Sequence, residues 1–175
     1  MFDATPTQAA PGTAHAAANL AVPAWLWAEL RSDHAGEAGA VEIYRGIRAV
    51  CRDPEVRRFA LHHEQTERRH LQLIEAVVPR PRRSRLLPVW RLAGWLTGAL
   101  PALFGARAVY RTIAAVETFV DHHYAAQTRQ LAGLAPYRAL HDLLEACRLD
   151  EVAHRDDAAR RTAGEVHEDV VADHA

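Results

Sequence analysis

Lysine is missing from this chain, so all 21 of its basic residues are arginines. That bias reflects composition and by itself excludes no function. Cysteine is nearly missing: Cys51 and Cys147 are the only two, both in segments of helical pattern. Two such thiols leave no disulfide framework, and no apolar stretch ahead of a cleavage site marks a secretory leader, so a reducing, intracellular setting is expected. Acidic residues are absent from 76 to 116, where seven arginines stand, so the net charge of -1 hides an acidic remainder. Extremes of composition are absent too. With 49% hydrophobic and 25% charged residues the chain is neither disordered nor fibrous, and 175 residues suffice for one domain with its own core.

What is present reads as helix. Residues 1–22 are rich in Ala, Thr, Pro and Gly without a sustained period, and a flexible leader is expected there. A first helix should run from Pro23 or Ala24 to about Cys51, with Ala38, Val41, Ile43, Tyr44 and Ile47 giving an apolar face. Asp53-Pro54-Glu55 is a helix start, because Asp caps, Pro suits the first helical position and Glu complements the dipole. The second helix should reach Val78, where Pro79 and Pro81 stop it. Helices from about 106 to 131 and from about 136 to 162 complete the pattern. The architecture expected is all-α: a ferritin-like four-helix bundle over 23–163, with a long apolar crossover at 79–105 joining its second and third helices and an acidic, weakly structured tail at 164–175.

Two motifs carry the chemistry. Glu67 and His70, and again Glu151 and His154, are Glu-x-x-His on expected helices, and residues three apart project from one helix face about 60° apart. One such pair is common by chance on a solvated helix; two are not. Each pair is also preceded, one helix earlier, by a glutamate in an apolar setting: Glu37 among Ala and Gly, Glu117 between Val116 and Thr118-Phe119. A carboxylate placed there requires a partner. The separations, 30 residues from Glu37 to Glu67 and 34 from Glu117 to Glu151, divide the chain into two similar helix pairs. Four carboxylates and two imidazoles in this order are the ligand set of di-iron and di-manganese bundles, suited to two divalent ions with open positions for oxygen.

Nearby residues carry weaker signals. Tyr124 lies seven positions after Glu117, two turns along one face, where a phenol either packs or relays a proton or electron. His123 is a candidate hydrogen-bond donor beside the metals. Asp150 is placed to orient a ligating imidazole, and His34, His62, His63 and Glu64 read as solvated or as partners of ligands rather than as ligands.

Four blocks resemble one family, the demethoxyubiquinone hydroxylases of ubiquinone biosynthesis. They are Arg-Ser-Asp-His-Ala-Gly-Glu-Ala-Gly-Ala at 31–40, Glu-Arg-Arg-His-Leu at 67–71, Ala-Val-Glu-Thr-Phe-Val-Asp-His-His-Tyr at 115–124, and Asp-Glu-Val-Ala-His at 150–154. The segment Leu-Pro-Val-Trp-Arg-Leu-Ala-Gly at 87–94 resembles the family's crossover. The resemblance implies a di-iron monooxygenase that uses O2 to hydroxylate the ring of a polyprenyl methoxy-benzoquinol. Its two ferrous ions would be held by Glu37, Glu67, His70, Glu117, Glu151 and His154. It also implies that His123 and Tyr124 assist electron transfer. After Thr162 the chain is acidic where the family pattern has an apolar helix.

A polyprenyl quinol lives in a bilayer, and residues 86–106 are the most apolar stretch. Two prolines, three glycines and Arg91 interrupt it, which favours an interfacial segment over a span. Trp90 and Trp95 fit an interface, and Arg80, Arg82, Arg83, Arg85, Arg107 and Arg111 could face anionic headgroups. Peripheral association with the cytoplasmic face of the cell membrane is therefore expected, with a homo-oligomer or biosynthetic complex compatible. Nucleic acid is not, because no recognition motif accompanies the arginines. Two other uses of the same bundle stay open: a ferritin-like ferroxidase, and a non-catalytic quinone-binding factor.

Overall fold

The computed structural model describes residues 22–172, with the backbone alone from 165 onward; the leader expected at 1–22 falls, but for Val22, outside the described residues. Among the described residues there are five α-helices and no strand: α1 (Ala24–Val50), α2 (Pro54–Val77), α3 (Leu87–Ala102), α4 (Ala106–Leu131) and α5 (Arg138–Ala172). Short 3-10 turns at Arg80–Arg82 and Ala135–Tyr137 precede α3 and α5.

The helix boundaries have local causes. Asp53 caps α2, its Oδ1 accepting from the amides of Glu55 at 2.7 Å and Val56 at 3.3 Å, and Pro54 fills the first turn. Gly105, at φ +93°, makes the turn into α4, a conformation that a residue with a Cβ adopts at a cost. The last helix departs from expectation at both ends: its first turn is 3-10, and it continues to Ala172 instead of ending near Thr162. No proline follows Pro136, Arg161 pairs with Asp157 one turn back at 3.2 Å, and Gly164 stays within the helix, so the helix runs on where an acidic tail was expected.

Four helices, α1, α2, α4 and α5, bury their apolar faces against one another in two layers. One layer joins Leu26 and Leu30 to Ile74, Tyr124, Leu131, Leu140 and Leu144. The other joins Tyr44 and Ile47 to Phe59, Tyr110, Ile113 and Ala158. Between them lies a stratum of buried charge that includes Glu37, Glu67, His70, Glu117, Glu151 and His154. Apolar layers lie on either side of that stratum.

The helix α3 lies along α1, and glycines let the two backbones meet. A Cβ on Gly98 would sit 1.9 Å from the Ile43 carbonyl oxygen, and one on Gly94 would sit 2.3 Å from that of Gly39. Neither oxygen can move without unwinding α1. Gly98→Ala is therefore expected to force the helices apart and cost about 2 kcal/mol or more, a fall of roughly 4–8 °C in melting temperature at this size. Thermal melts followed by circular dichroism check it.

The opposite face of α3 is bare. Leu92 and Leu100 on it, and Leu103 and Phe104 just past its end, are exposed, Phe104 at 80%. No helix among the described residues is long and apolar enough to cross a membrane; the 16 residues of α3 extend only about 24 Å, short of a bilayer's roughly 30 Å apolar core. Among the arginines expected to face headgroups are some with partners inside the chain. Arg83 pairs with Glu75 at 2.8 Å, and Arg82 lies over the Trp27 ring at 5.2 Å.

Candidate metal centre

Each helix of the bundle supplies acid to the buried stratum, and α2 and α5 also supply imidazole. The spacing of three places Glu67 and His70 on one face of α2, and Glu151 and His154 on one face of α5. All six predicted ligand residues are buried. Their donor atoms form two groups, each spanning no more than 4.8 Å: Glu37, Glu67, His70 and Glu151 in one, Glu67, Glu117, Glu151 and His154 in the other. Glu67 and Glu151 belong to both. This buried cluster could hold metal.

The contacts inside it are close but poorly satisfied. His70 Nδ1 lies 3.0 Å from Glu151 Oε1 and 3.7 Å from both Glu37 Oε2 and Glu67 Oε2. His154 Nδ1 lies 2.9 Å from Glu67 Oε1 and 3.3 Å from Glu151 Oε2, without the alignment of a hydrogen bond. Glu37 Oε2, both Glu67 oxygens, Glu151 Oε2 and His154 Nδ1 are all buried without a hydrogen-bond partner. Orphaned acceptors of this kind are costly and rare in a folded interior. Five such atoms within the two donor groups fit the donor set of cations. Four carboxylates also balance the charge of two divalent ions.

Protonation follows the same crowding. Burial drives the Glu37 and Glu117 carboxyls well above the usual carboxylate range, and the negative charges of Glu151 and Glu67 add to it. Burial also opposes charge on Glu67, but its contacts with His154 and His70 win and hold it below that range. Burial opposes charge on His154 too, yet Glu151 and Glu67 outweigh it and hold the imidazole well above its ordinary pKa. Protons on Glu37, Glu117 and His154 thus offset part of the cluster's negative charge.

Around the cluster stand residues that fix its members. Asp150 Oδ2 lies 3.0 Å from His70 Nε2, which fixes a proton on Nε2 and makes Nδ1, which faces the carboxylates, the nitrogen that a cation would take in place of its proton. Tyr124 donates its hydroxyl to Glu37 Oε1, and Tyr44 donates to Glu117 Oε1 at 2.8 Å. The two phenols are reciprocal: each sits seven residues after one lone glutamate and bonds the other. Tyr124 is marked in the sequence by its spacing from Glu117, and Tyr44 has the same spacing from Glu37 but reads there as part of an apolar face. The remaining candidates are not in the cluster. His34 is buried against Glu75, 3.3 Å away, Glu64 pairs with Arg48 and Arg68, and His62 is exposed. His63 is buried, bonded to Asp157 at 3.1 Å, with its ring 4.3 Å from that of His154.

A cavity of about 130 Å³ leads to the cluster. Glu37, Glu67, Glu117 and Glu151 line its floor, and Trp90, Phe119, Val120 and His123 its wall and mouth. Access therefore runs between α1, α3 and α4.

The model of one protein family, described as ubiquinone biosynthesis protein COQ7, matches residues 24–173, which take in every helix and all six clustered residues. The chain belongs to the COQ7 family. Curated relatives agree with that placement. It is 37% identical over 131 residues to the NADPH-dependent 3-demethoxyubiquinone 3-hydroxylase, mitochondrial, of Dictyostelium discoideum, covering 71% of this chain and 59% of that protein. Its human counterpart of the same name is 34% identical, covering 73% and 60%. The 3-demethoxyubiquinol 3-hydroxylase of Rhodospirillum rubrum is 36% identical, again covering 73% and 60%. The chain thus matches about three-fifths of the length of these COQ7-related proteins.

Proposed function

We propose that this chain is a di-iron monooxygenase that hydroxylates the ring of a polyprenyl methoxy-benzoquinol, a demethoxyubiquinol, with O2. Its four long helices make a ferritin-like bundle, and the connection at 79–105 is the crossover. The observation that carries the reading is the pair of four-residue donor groups sharing Glu67 and Glu151, with five orphaned atoms aimed into them and an aromatic-walled cavity above.

One ferrous ion would sit among Glu37, Glu67, His70 and Glu151, the other among Glu67, Glu117, Glu151 and His154, with Glu67 and Glu151 bridging. Bound iron would supply the electrons and Lewis acidity that activate oxygen. The chain's own residues do the rest. Asp150 keeps the His70 lone pair directed inward. Tyr44 and Tyr124 hold Glu117 and Glu37 by their oxygens, so those carboxylates keep one orientation as charge changes nearby. Trp90 and Phe119 at the mouth exclude water and offer faces against which a quinol ring stacks. His123 and Tyr124, at the mouth and at the Glu37 carboxylate, connect a quinol in the cavity to the metals.

The bare face of α3 continues from that mouth, and we assign it to a bilayer surface, where a polyprenyl tail would remain while the ring enters. Exchanging both Leu103 and Phe104 for Glu removes two apolar anchors worth at least ~3 kcal/mol together. Binding to anionic vesicles, measured by flotation, is expected to weaken at least about a hundredfold, with metal loading unchanged.

The proposed reaction is tested by loading the chain with ferrous iron without oxygen, adding a demethoxy-quinol and then O2, and analysing the quinone by mass spectrometry. A ring heavier by one oxygen atom is expected. Unchanged quinol beside two bound irons would refute the assignment.

A further inference from the structure

One wall of the cavity contains a buried polar cluster that the metal groups do not use. Asp33 lies one turn before Glu37 on α1, and its side chain has no exposed surface. Its Oδ1 accepts from the amide of Gln127 at 2.8 Å and stands 2.9 Å from His123 Nε2. Gln127 is itself buried and donates also to Glu29 Oε2, 3.3 Å away. Asp33 Oδ2 and Gln127 Oε1 have no hydrogen-bond partner. The ring of His123 is half-buried, lines the cavity next to Tyr124, and lies parallel to Phe119 with centroids 6.5 Å apart.

A carboxylate oxygen against one nitrogen of an imidazole fixes the proton on that nitrogen and makes the other an acceptor. The Gln127 amide nitrogen is 3.2 Å from the same ring nitrogen, but its proton is directed to Asp33, the closer acceptor. Contact with Asp33 holds His123 above its ordinary pKa in spite of partial burial. The charged groups facing His123 are Asp33 and, farther off, Glu29, both on α1; α3 contributes the neutral Trp90 to the cavity. An ion pair built only for stability would not leave an oxygen of its buried carboxylate unused.

We propose that Asp33 is a positioning residue for His123: it keeps the imidazole proton on Nε2, so that Nδ1 accepts the proton of a quinol ring hydroxyl in the cavity. This inference rests on the reading of that cavity as the quinol's. In the step, the quinol O–H bond breaks with its electron pair staying on the ring oxygen, and an N–H bond forms at Nδ1. The quinol leaves as quinolate, and the imidazolium is balanced by the Asp33 carboxylate. Asp33 thus does for His123 what the buried acid of a catalytic triad does for its histidine. An electron-rich quinolate is the form from which the ring is most readily oxidised.

The test is nitrogen NMR of the full, metal-free chain labelled with ¹⁵N. In the native chain, His123 is expected to carry its proton on Nε2 when neutral. In Asp33→Asn its titration midpoint should fall by about one pH unit or more and the tautomer preference should be lost, while Asp33→Glu retains both. A native His123 protonated on Nδ1 would overturn the proposal without any variant, and so would an Asp33→Asn chain with the native midpoint and tautomer. A short-chain methoxy-benzoquinol, added without oxygen, should move the Nδ1 resonance in the native chain. In Asp33→Asn it should still move Tyr124 but no longer Nδ1. If quinol moves neither residue while the tautomer is as expected, the cavity reading has failed and the proton step fails with it. If quinol moves Nδ1 equally in both chains, Asp33 does not position His123.

Discussion

Replacing Glu67 or Glu151 by Ala is expected to abolish binding of both metal ions, whereas replacing Glu37 or Glu117 should remove one and leave the other. The asymmetry follows from membership: the first two glutamates lie in both donor groups and the second two in one each. Iron content after anaerobic loading and desalting should fall from two per chain to near zero in the first case and to about one in the second. Asp150→Asn gives a graded control. It keeps the shape at 3.0 Å from His70 Nε2 but removes the charge that orients the ring, and loss of such an orienting partner weakens metal binding roughly 10–100-fold. Equal losses at all four glutamates would remove the argument that Glu67 and Glu151 bridge.

In the absence of metal, the chain is expected to lose stability as pH rises from about 5 to 8, the reverse of an ordinary acid-sensitive protein. Glu37 and Glu117 have carboxyls raised well above their usual range, chiefly by burial, and the imidazoles of His70 and His154 are raised against burial by their neighbours. A group whose pKa is higher in the folded state binds its proton more tightly there. Its contribution is complete below the unfolded pKa and is lost as pH climbs through the folded one. For the glutamates that loss begins above about 4.5 and for the histidines above about 6.5, the ordinary values. The lowered carboxyls of Glu67 and Glu64 act in the opposite sense only in more acidic solution, and the imidazoles of His63 and His34, lowered chiefly by burial, oppose the trend up to about 6.5 but add nothing above it. Calorimetric melts of the metal-free chain should therefore fall by several degrees between pH 5.5 and 8. Divalent metal, which displaces those protons, should reverse the trend. A melting temperature rising over that interval without metal would mean that the buried acids are satisfied in some other way.

The six clustered residues were legible in the sequence because a helix converts spacing into direction. A spacing of three from Glu67 to His70 puts both on one face, and an acid at Glu37 or Glu117 within an apolar helix face has no reason to be there without a counter-charge. Tyr44 was equally legible, seven residues from Glu37, but it sits in an apolar run and reads as core until the hydroxyl is seen to reach Glu117. Asp33 stood within the 31–40 block without a role of its own and Gln127 carried no signal, since their partnership depends on how α1 and α4 are juxtaposed across 94 residues of chain.

The 79–105 connection divided in the same way. Its apolar character was plain, and the bare Leu103 and Phe104 follow from it. Its docking onto α1 was hidden, because Gly94 and Gly98 read from sequence as helix interruptions. In the structure they are the points where two backbones touch. The extension of α5 to Ala172 was not legible, because an acidic run lacks the apolar periodicity that marks a packed helix, while the backbone stays helical through Gly164 and beyond.

Anomalous diffraction at the iron edge, from crystals soaked anaerobically with ferrous iron, tests the central claim most directly. Two peaks about 3.5–4 Å apart are predicted within the buried stratum, one contacting Glu37 and His70, the other Glu117 and His154, and both contacting Glu67 and Glu151. A single peak, or iron bound only outside these four helices' shared interior, would contradict the account.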